Sequence, residues 1–177
     1  MLNNKGQAFS VFELMIAGVV AFAILIILLS VISGVMFSTN NDPLNAIGTT
    51  LKTVAPSGQT LTDKFQVKSG VTVRATNFAT KTDLDASSIM FFKGMFEDND
   101  LLKVDVSDGS NGTKVSYMSW TGSTALTARA QVICGATAAE AVSALELLDS
   151  SFNVNASDLG NYCGDAKPCC AIVLDKP

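Results

Sequence analysis

The chain has 177 residues, a formal net charge of −4 and no histidine. Without histidine the common catalytic triads and histidine-containing metal sites are excluded, and the acidic balance does not suit nucleic acid, whose phosphates need clustered lysine or arginine. We therefore expect a protein that is not an enzyme, with no catalytic residue, no cofactor, no metal and no direct nucleic-acid partner.

The first predicted element is an apolar segment without any charged residue, which begins after Glu13 and ends at Asn41. A helix needs roughly 20 apolar residues to cross a bilayer, so the pattern predicts a long hydrophobic helix over residues 9–41. An acid at that depth costs about 2.5 to 3.5 kcal/mol, which makes Glu13 a functional candidate. Two simpler interpretations are a secretory signal peptide and a plain N-terminal anchor.

The residues from Ala8 to Ile16 resemble the class III signal sequence of type IV pilins. They share a short polar leader, a small residue before the cut, an aromatic first mature residue and an acid four positions later. The leader itself is similar to archaeal versions. The resemblance implies that a prepilin peptidase removes residues 1–8 by cutting between Ala8 and Phe9. A cut between Gly6 and Gln7 fits one archaeal form of the motif, but places Glu13 farther from the new N-terminus.

The cut before Phe9 would leave a free amine one helical turn from the Glu13 carboxylate, because residues four apart share a helix face. Either charge would be costly alone in apolar surroundings. The amine would also reach Glu13 of a neighbouring copy and so fix the axial register between subunits.

Family resemblance implies a precursor in the cell membrane and an adhesive extracellular pilus built from identical subunits. Its further partners would be a cytoplasmic assembly ATPase and a membrane platform protein. Two alternatives stay open: a minor pilin of a pilus or DNA-uptake apparatus, and a membrane-anchored extracellular binding protein that does not polymerise.

Residues 42–177 predict one extracellular head, with the cluster from Asn40 to Pro43 as its neck. Strands are predicted at Lys64–Val67, Val71–Thr76, Leu101–Val106, Thr113–Trp120, Ala125–Ile133 and Ala171–Leu174. The first two strands would form a hairpin around Ser69-Gly70, and the next two a hairpin across residues 108–112.

A capping box at Thr137 and Glu140 predicts a short helix up to Leu148. The hydrophobic period of residues 84–96 fits either a helix or a buried strand. The expected fold class is α+β, in which a long hydrophobic N-terminal α-helix carries an antiparallel β-rich head with a short helix and disulfides.

Four cysteines lie in the last third of the head. An even number of cysteines on an extracellular domain favours two disulfides over a metal site. Adjacent residues of a strand point to opposite faces, so Cys169 and Cys170 should have different partners. Of the three possible connectivities we favour Cys134 with Cys170 and Cys163 with Cys169, although spacing ranks them only weakly.

Two sequons, at Asn111 and Asn155, are candidate N-glycosylation sites, of which Asn111 is the stronger. Two acidic groupings, Asp83 with Asp85 and residues 97–100, carry ligands that suit calcium but match no known loop pattern. We interpret both groupings as solvated loops.

Overall fold

The computed structural model describes residues 15–16, 18–22, 24–25, 42–109, 112–148, 155–164 and 168–177. Backbone contacts divide the chain into two units, Met1–Thr39 and Asn40–Pro177, which are treated separately below. All described residues before Asp42 have helical backbone.

The head is α+β. Its helices are α1 (Pro43–Val54), α2 (Ala75–Ala79), α3 (Ala138–Glu146) and α4 (Ala156–Cys163). Its strands are β1 (Gly58–Leu61), β2 (Phe65–Val67), β3 (Thr72–Arg74), β4 (Ile89–Phe92), β5 (Leu102–Asp108), β6 (Lys114–Trp120), β7 (Leu126–Gly135) and β8 (Cys169–Asp175). Single 3₁₀ turns, Ala86–Ser88 and Gly94–Phe96, flank β4.

The main sheet has five strands and is mixed. Its order is β1, β7, β8, β4, and β2 also pairs with β7. Strand β8 runs antiparallel to β7 and parallel to β4. Because β8 is central, its side chains go alternately to two cores: Cys170, Ile172 and Leu174 to one, and Cys169, Ala171 and Val173 to the other.

Each face of the main sheet is covered by a different layer. On the first face lie α1, α2 and a second, three-stranded sheet with the order β3, β6, β5. On the second face lie α3 and α4, through Leu145 and Leu159. Burial on both faces explains why β4 and β8 are continuous apolar runs rather than alternating ones.

Helix α1 begins within the predicted neck. Asp42 is its N-cap and accepts a hydrogen bond from Leu44 N–H at 3.0 Å, and Pro43 occupies the first helical position. Ile47 and Leu51 are fully buried against the main sheet. The helix ends at Val54, just before the residue that precedes Pro56, because proline disfavours helical backbone in the residue before it.

The expected antiparallel head with one short helix is wrong. Strands β4 and β8 are parallel, and the described residues of the head form four helices. The hairpin expected around Ser69-Gly70 is also wrong, because β2 pairs with β7 and β3 pairs with β6 in the other sheet. The second predicted hairpin is confirmed as β5 and β6, and residues 84–96 contain a buried strand.

The expected long N-terminal α-helix is corrected as well. Among the residues that the structure describes, none of the helices has the length and hydropathy needed to cross a bilayer. The longest helix of the described part of the head is α1, with 12 residues. Most of the segment 9–41, including its first residues, lies outside the described residues.

Candidate functional site

The described N-terminal residues expose large apolar side chains to solvent. Seven large side chains, which we call the N-terminal apolar surface, are between 50% and 68% exposed: Met15, Ile16, Val19, Val20, Phe22, Ile24 and Leu25. Four of them, Met15, Ile16, Val19 and Val20, line a shallow groove of about 260 Å³. A helical stretch that is apolar on every side is usually covered by lipid or by other protein.

Ala8, Phe9 and Glu13 all lie outside the described residues. The nearest described residue is Met15, two positions after Glu13.

Both predicted disulfides are present in the head, with the pairing that the sequence favoured. Cys134 and Cys170 face each other directly in the β7–β8 register, with their Cα atoms 4.1 Å apart. Cys163, the last residue of α4, is bonded to Cys169, the first residue of β8, with 6.0 Å between Cα atoms. Consecutive residues of β8 are thus tied to β7 on one face and to α4 on the other.

A tyrosine next to Cys163 joins α4 to strand β6 and to the 3₁₀ turn before β4. The Tyr162 hydroxyl accepts a hydrogen bond from Ser116 N–H at 2.9 Å, and the carbonyl oxygens of Ala86 and Lys114 lie 3.2 Å from it as acceptors. Burial raises the pKa of Tyr162 above its usual value of 10.0, and the bond from the Ser116 backbone partly opposes that rise. No local sequence signal predicts this contact, because its partners are 46 and more residues away.

Two edge strands, β4 and β5, have backbone donors that are already hydrogen-bonded within the head. On β4, Phe91 N–H donates to Ser116 Oγ at 3.0 Å. On β5, Val106 N–H donates to Oδ1 of the preceding residue, Asp105, at 2.7 Å, and Leu102 N–H donates to Asn99 O at 3.2 Å. Edge strands with satisfied donors and charged side chains resist pairing with other chains.

The sequon at Asn155 forms the start of α4. Asn155 Oδ1 accepts hydrogen bonds from Ser157 N–H at 3.2 Å and from Ser157 Oγ at 2.7 Å, which makes Asn155 the N-cap. Its side chain is exposed, and its Nδ2 also donates to Asp158 Oδ1 at 3.3 Å. The other sequon residue, Asn111, lies outside the described residues.

The acidic groupings do not form a metal centre in the described part of the head. Asp83, Asp85, Asp98 and Asp100 are exposed on loops. Within the described ranges, no three histidine, cysteine or acidic side chains come together in a way that could hold a metal ion.

Comparison of the chain with protein-family models, with curated proteins and with solved structures finds no match.

Proposed function

We propose that this chain is an archaeal pilin of the type IV family that polymerises through its N-terminal apolar segment into an extracellular filament for surface adhesion. A prepilin peptidase would cut between Ala8 and Phe9 of the membrane-held precursor. An assembly ATPase and a platform protein would then add the mature subunit to the filament. The head would form the outer surface and make contact with the environment.

The observation that carries the proposal is the N-terminal apolar surface. Seven large apolar side chains, each at least half exposed, would be unfavourable in water, at about 25 cal/mol for each Å² of apolar area. Lipid covers such a surface in a precursor, and sister copies cover it in a filament. Transfer from lipid to protein exchanges one apolar medium for another, so assembly needs a driven step. The assembly ATPase would supply it.

The role of Glu13 in this proposal is to set register. Packed apolar side chains alone tolerate sliding, whereas a single buried charge pair has one favourable alignment. The Phe9 amine of one subunit and the Glu13 carboxylate of the next would provide that alignment.

The test is a comparison of filaments from cells that make the native chain, Glu13→Ala or Asp85→Ala. Asp85 is an exposed acid of the head and serves as the matched control. We expect filaments with the native chain and with Asp85→Ala, and accumulation of Glu13→Ala in the membrane fraction. Mass spectrometry of native filaments should give Phe9 as the first residue.

Several results would contradict the proposal. Surface display and adhesion without filaments, unchanged by Glu13→Ala, would indicate an anchored binding protein. A filament in which this chain is a trace component would indicate a minor pilin. A secreted chain cut beyond Phe37 would show that the apolar segment is only a signal peptide.

A further inference from the structure

A polar groove lies on the head beside the C-terminal end of α1 and the loop that follows α2. Its volume is about 620 Å³, which is within the range of small-molecule sites. The side chains that matter for its chemistry are Lys52, Pro56, Thr80, Lys81, Thr82 and Asp83.

Two cations line this groove without a partner among the described residues. Lys52 stands in the last turn of α1, where the helix dipole favours a cation. The helix dipole does not explain the position of Lys81 in the groove, because Lys81 lies in the loop after α2. Its Cδ approaches α1 beside Gly48, one helical turn before Lys52 and on the same helix face. Neither ammonium group makes a hydrogen bond or ion pair with a described residue, and the one loop bond of Lys81 is from its backbone N–H to Phe78 O.

Two like charges in one concave site raise the local positive potential and attract an anion. An anionic group of a ligand would also form charge-assisted hydrogen bonds with both ammonium groups. The groove therefore favours at least one carboxylate, sulfate or phosphate group on its ligand.

The remaining polar groups of the groove are acceptors. Thr80 Oγ1 donates its hydrogen to Asn77 O at 3.2 Å, and Thr82 Oγ1 donates to Phe78 O at 3.0 Å, so both oxygens keep lone pairs for a ligand. The Asp83 carboxylate also accepts only. Such acceptors suit ligand hydroxyl groups, and the same carboxylate disfavours a compact, highly charged ion such as inorganic phosphate.

We propose that this groove binds an acidic saccharide: the uronate carboxylate lies between Lys52 and Lys81, and the sugar hydroxyls donate to Asp83 and the two threonines. If this site is the adhesive contact of a pilus, that role rests on the proposed function. The binding reaction itself belongs to the head and does not require polymerisation.

The test is calorimetric titration of the full-length chain in mild detergent with digalacturonate, and with the neutral galactose disaccharide as the matched ligand. We expect binding of digalacturonate only. Lys52→Gln and Lys81→Gln should each weaken it about tenfold or more, because each removes a hydrogen bond between charged groups. Lys52→Arg/Lys81→Arg keeps both charges and should retain binding. Lys64→Gln and Lys114→Gln, which lie outside the groove, should leave the affinity unchanged.

Four results would overturn the proposal: no binding of digalacturonate, equal binding of the neutral disaccharide, equal loss in the Lys64 and Lys114 variants, or tighter binding of inorganic phosphate or sulfate. The first three exclude recognition of the uronate by this groove, and the last indicates a site for small anions. Filament formation by Lys52→Gln/Lys81→Gln is scored in parallel. If the double variant forms normal filaments but no longer binds digalacturonate, the result supports the site. If the native chain forms no filaments, the result counts against the proposed function alone.

Discussion

The two disulfides should stabilise the head unequally, and the structure provides a matched pair of variants to measure this. The perturbation is Cys134→Ala/Cys170→Ala in one protein and Cys163→Ala/Cys169→Ala in the other. All four cysteines are at most 5% exposed. Each double variant therefore removes two buried sulfur atoms, and the local loss of packing is similar in both.

The loops that the disulfides close differ greatly in length. Cys134 and Cys170 are separated by 36 residues, whereas Cys163 and Cys169 are separated by 6. Loop-closure entropy of the unfolded chain gives about 3.8 kcal/mol for the longer loop and about 2.2 kcal/mol for the shorter one at 25 °C. The double variant of Cys134 and Cys170 should thus lose about 1.6 kcal/mol more than the other.

Urea unfolding of the full-length chain in mild detergent measures both losses by linear extrapolation. The fluorescence of Trp120 reports on the head, because it is the only tryptophan and is buried in the core next to β5. Equal losses, or a larger loss for the Cys163 and Cys169 variant, would refute the entropic reasoning. In that case the link between α4 and β8 would act mainly through contacts in the folded state.

Two further predictions concern the Tyr162 hydroxyl and the close backbone approach at Gly94. Tyr162→Phe should cost about 1 to 3 kcal/mol at neutral pH, because Ser116 N–H is left buried without an acceptor. The raised pKa of Tyr162 favours the neutral phenol in the folded state. The contribution of Tyr162 to the free energy of unfolding is therefore complete below pH 10.0, and it is lost as the pH rises through the folded-state pKa. Urea unfolding between pH 8 and 11 should therefore show a steeper alkaline loss for the native chain than for Tyr162→Phe, and parallel curves would contradict this. Gly94→Ala should lower the free energy of unfolding by about 1 to 3 kcal/mol more than Gly70→Ala. Both glycines have positive φ, but a Cβ at Gly94 would overlap Leu174 O, whereas one at Gly70 meets nothing within 4 Å; equal losses would show that the overlap is relieved.

Local signals predicted the elements whose partners are near in sequence. The turn at residues 108–112 predicted the pairing of β5 with β6, and it is confirmed. Thr137 Oγ1 accepts from Glu140 N–H at 3.3 Å, as the capping box requires, and α3 follows. Alternation along the last strand placed Cys169 and Cys170 on opposite faces, which separates their disulfide partners.

The wrong strand pairings involve choices that local sequence does not make. The turn near Gly70 exists, with Val71 N–H bonded to Lys68 O at 3.1 Å. After it, however, the chain leaves β7 and joins β6, and Gly70 N–H donates to Trp120 O at 2.8 Å. Which sheet a three-residue strand joins depends on long-range packing. The parallel pairing of β4 with β8 has the same origin, since their partners are separated by 81 residues, as for Ile89 and Cys170.

Helix α1 was missed for a different reason. The sequence Asp42-Pro43 is both a turn signal and an N-cap followed by the favoured proline position. The apolar residues Leu44, Ile47, Leu51 and Val54 recur with helical spacing, and this period favours a helix over a turn. The structure places the start of a buried helix there, so the head begins without an extended neck among its described residues.

If the chain is a pilin subunit, the bonded donors on some edge strands of its head disfavour association of heads before assembly. Exposed edge strands are templates for pairing with other copies, and precursors held side by side in a membrane would meet often. Here the donors of Phe91 and Val106 are already bonded within the head, and Arg74 N–H, at the end of β3, donates to Asn77 Oδ1 at 2.9 Å. The N-terminal apolar surface has no such protection in the described residues. If the chain is a pilin subunit, this contrast directs association to the apolar segment, where lipid competes until the assembly machinery acts.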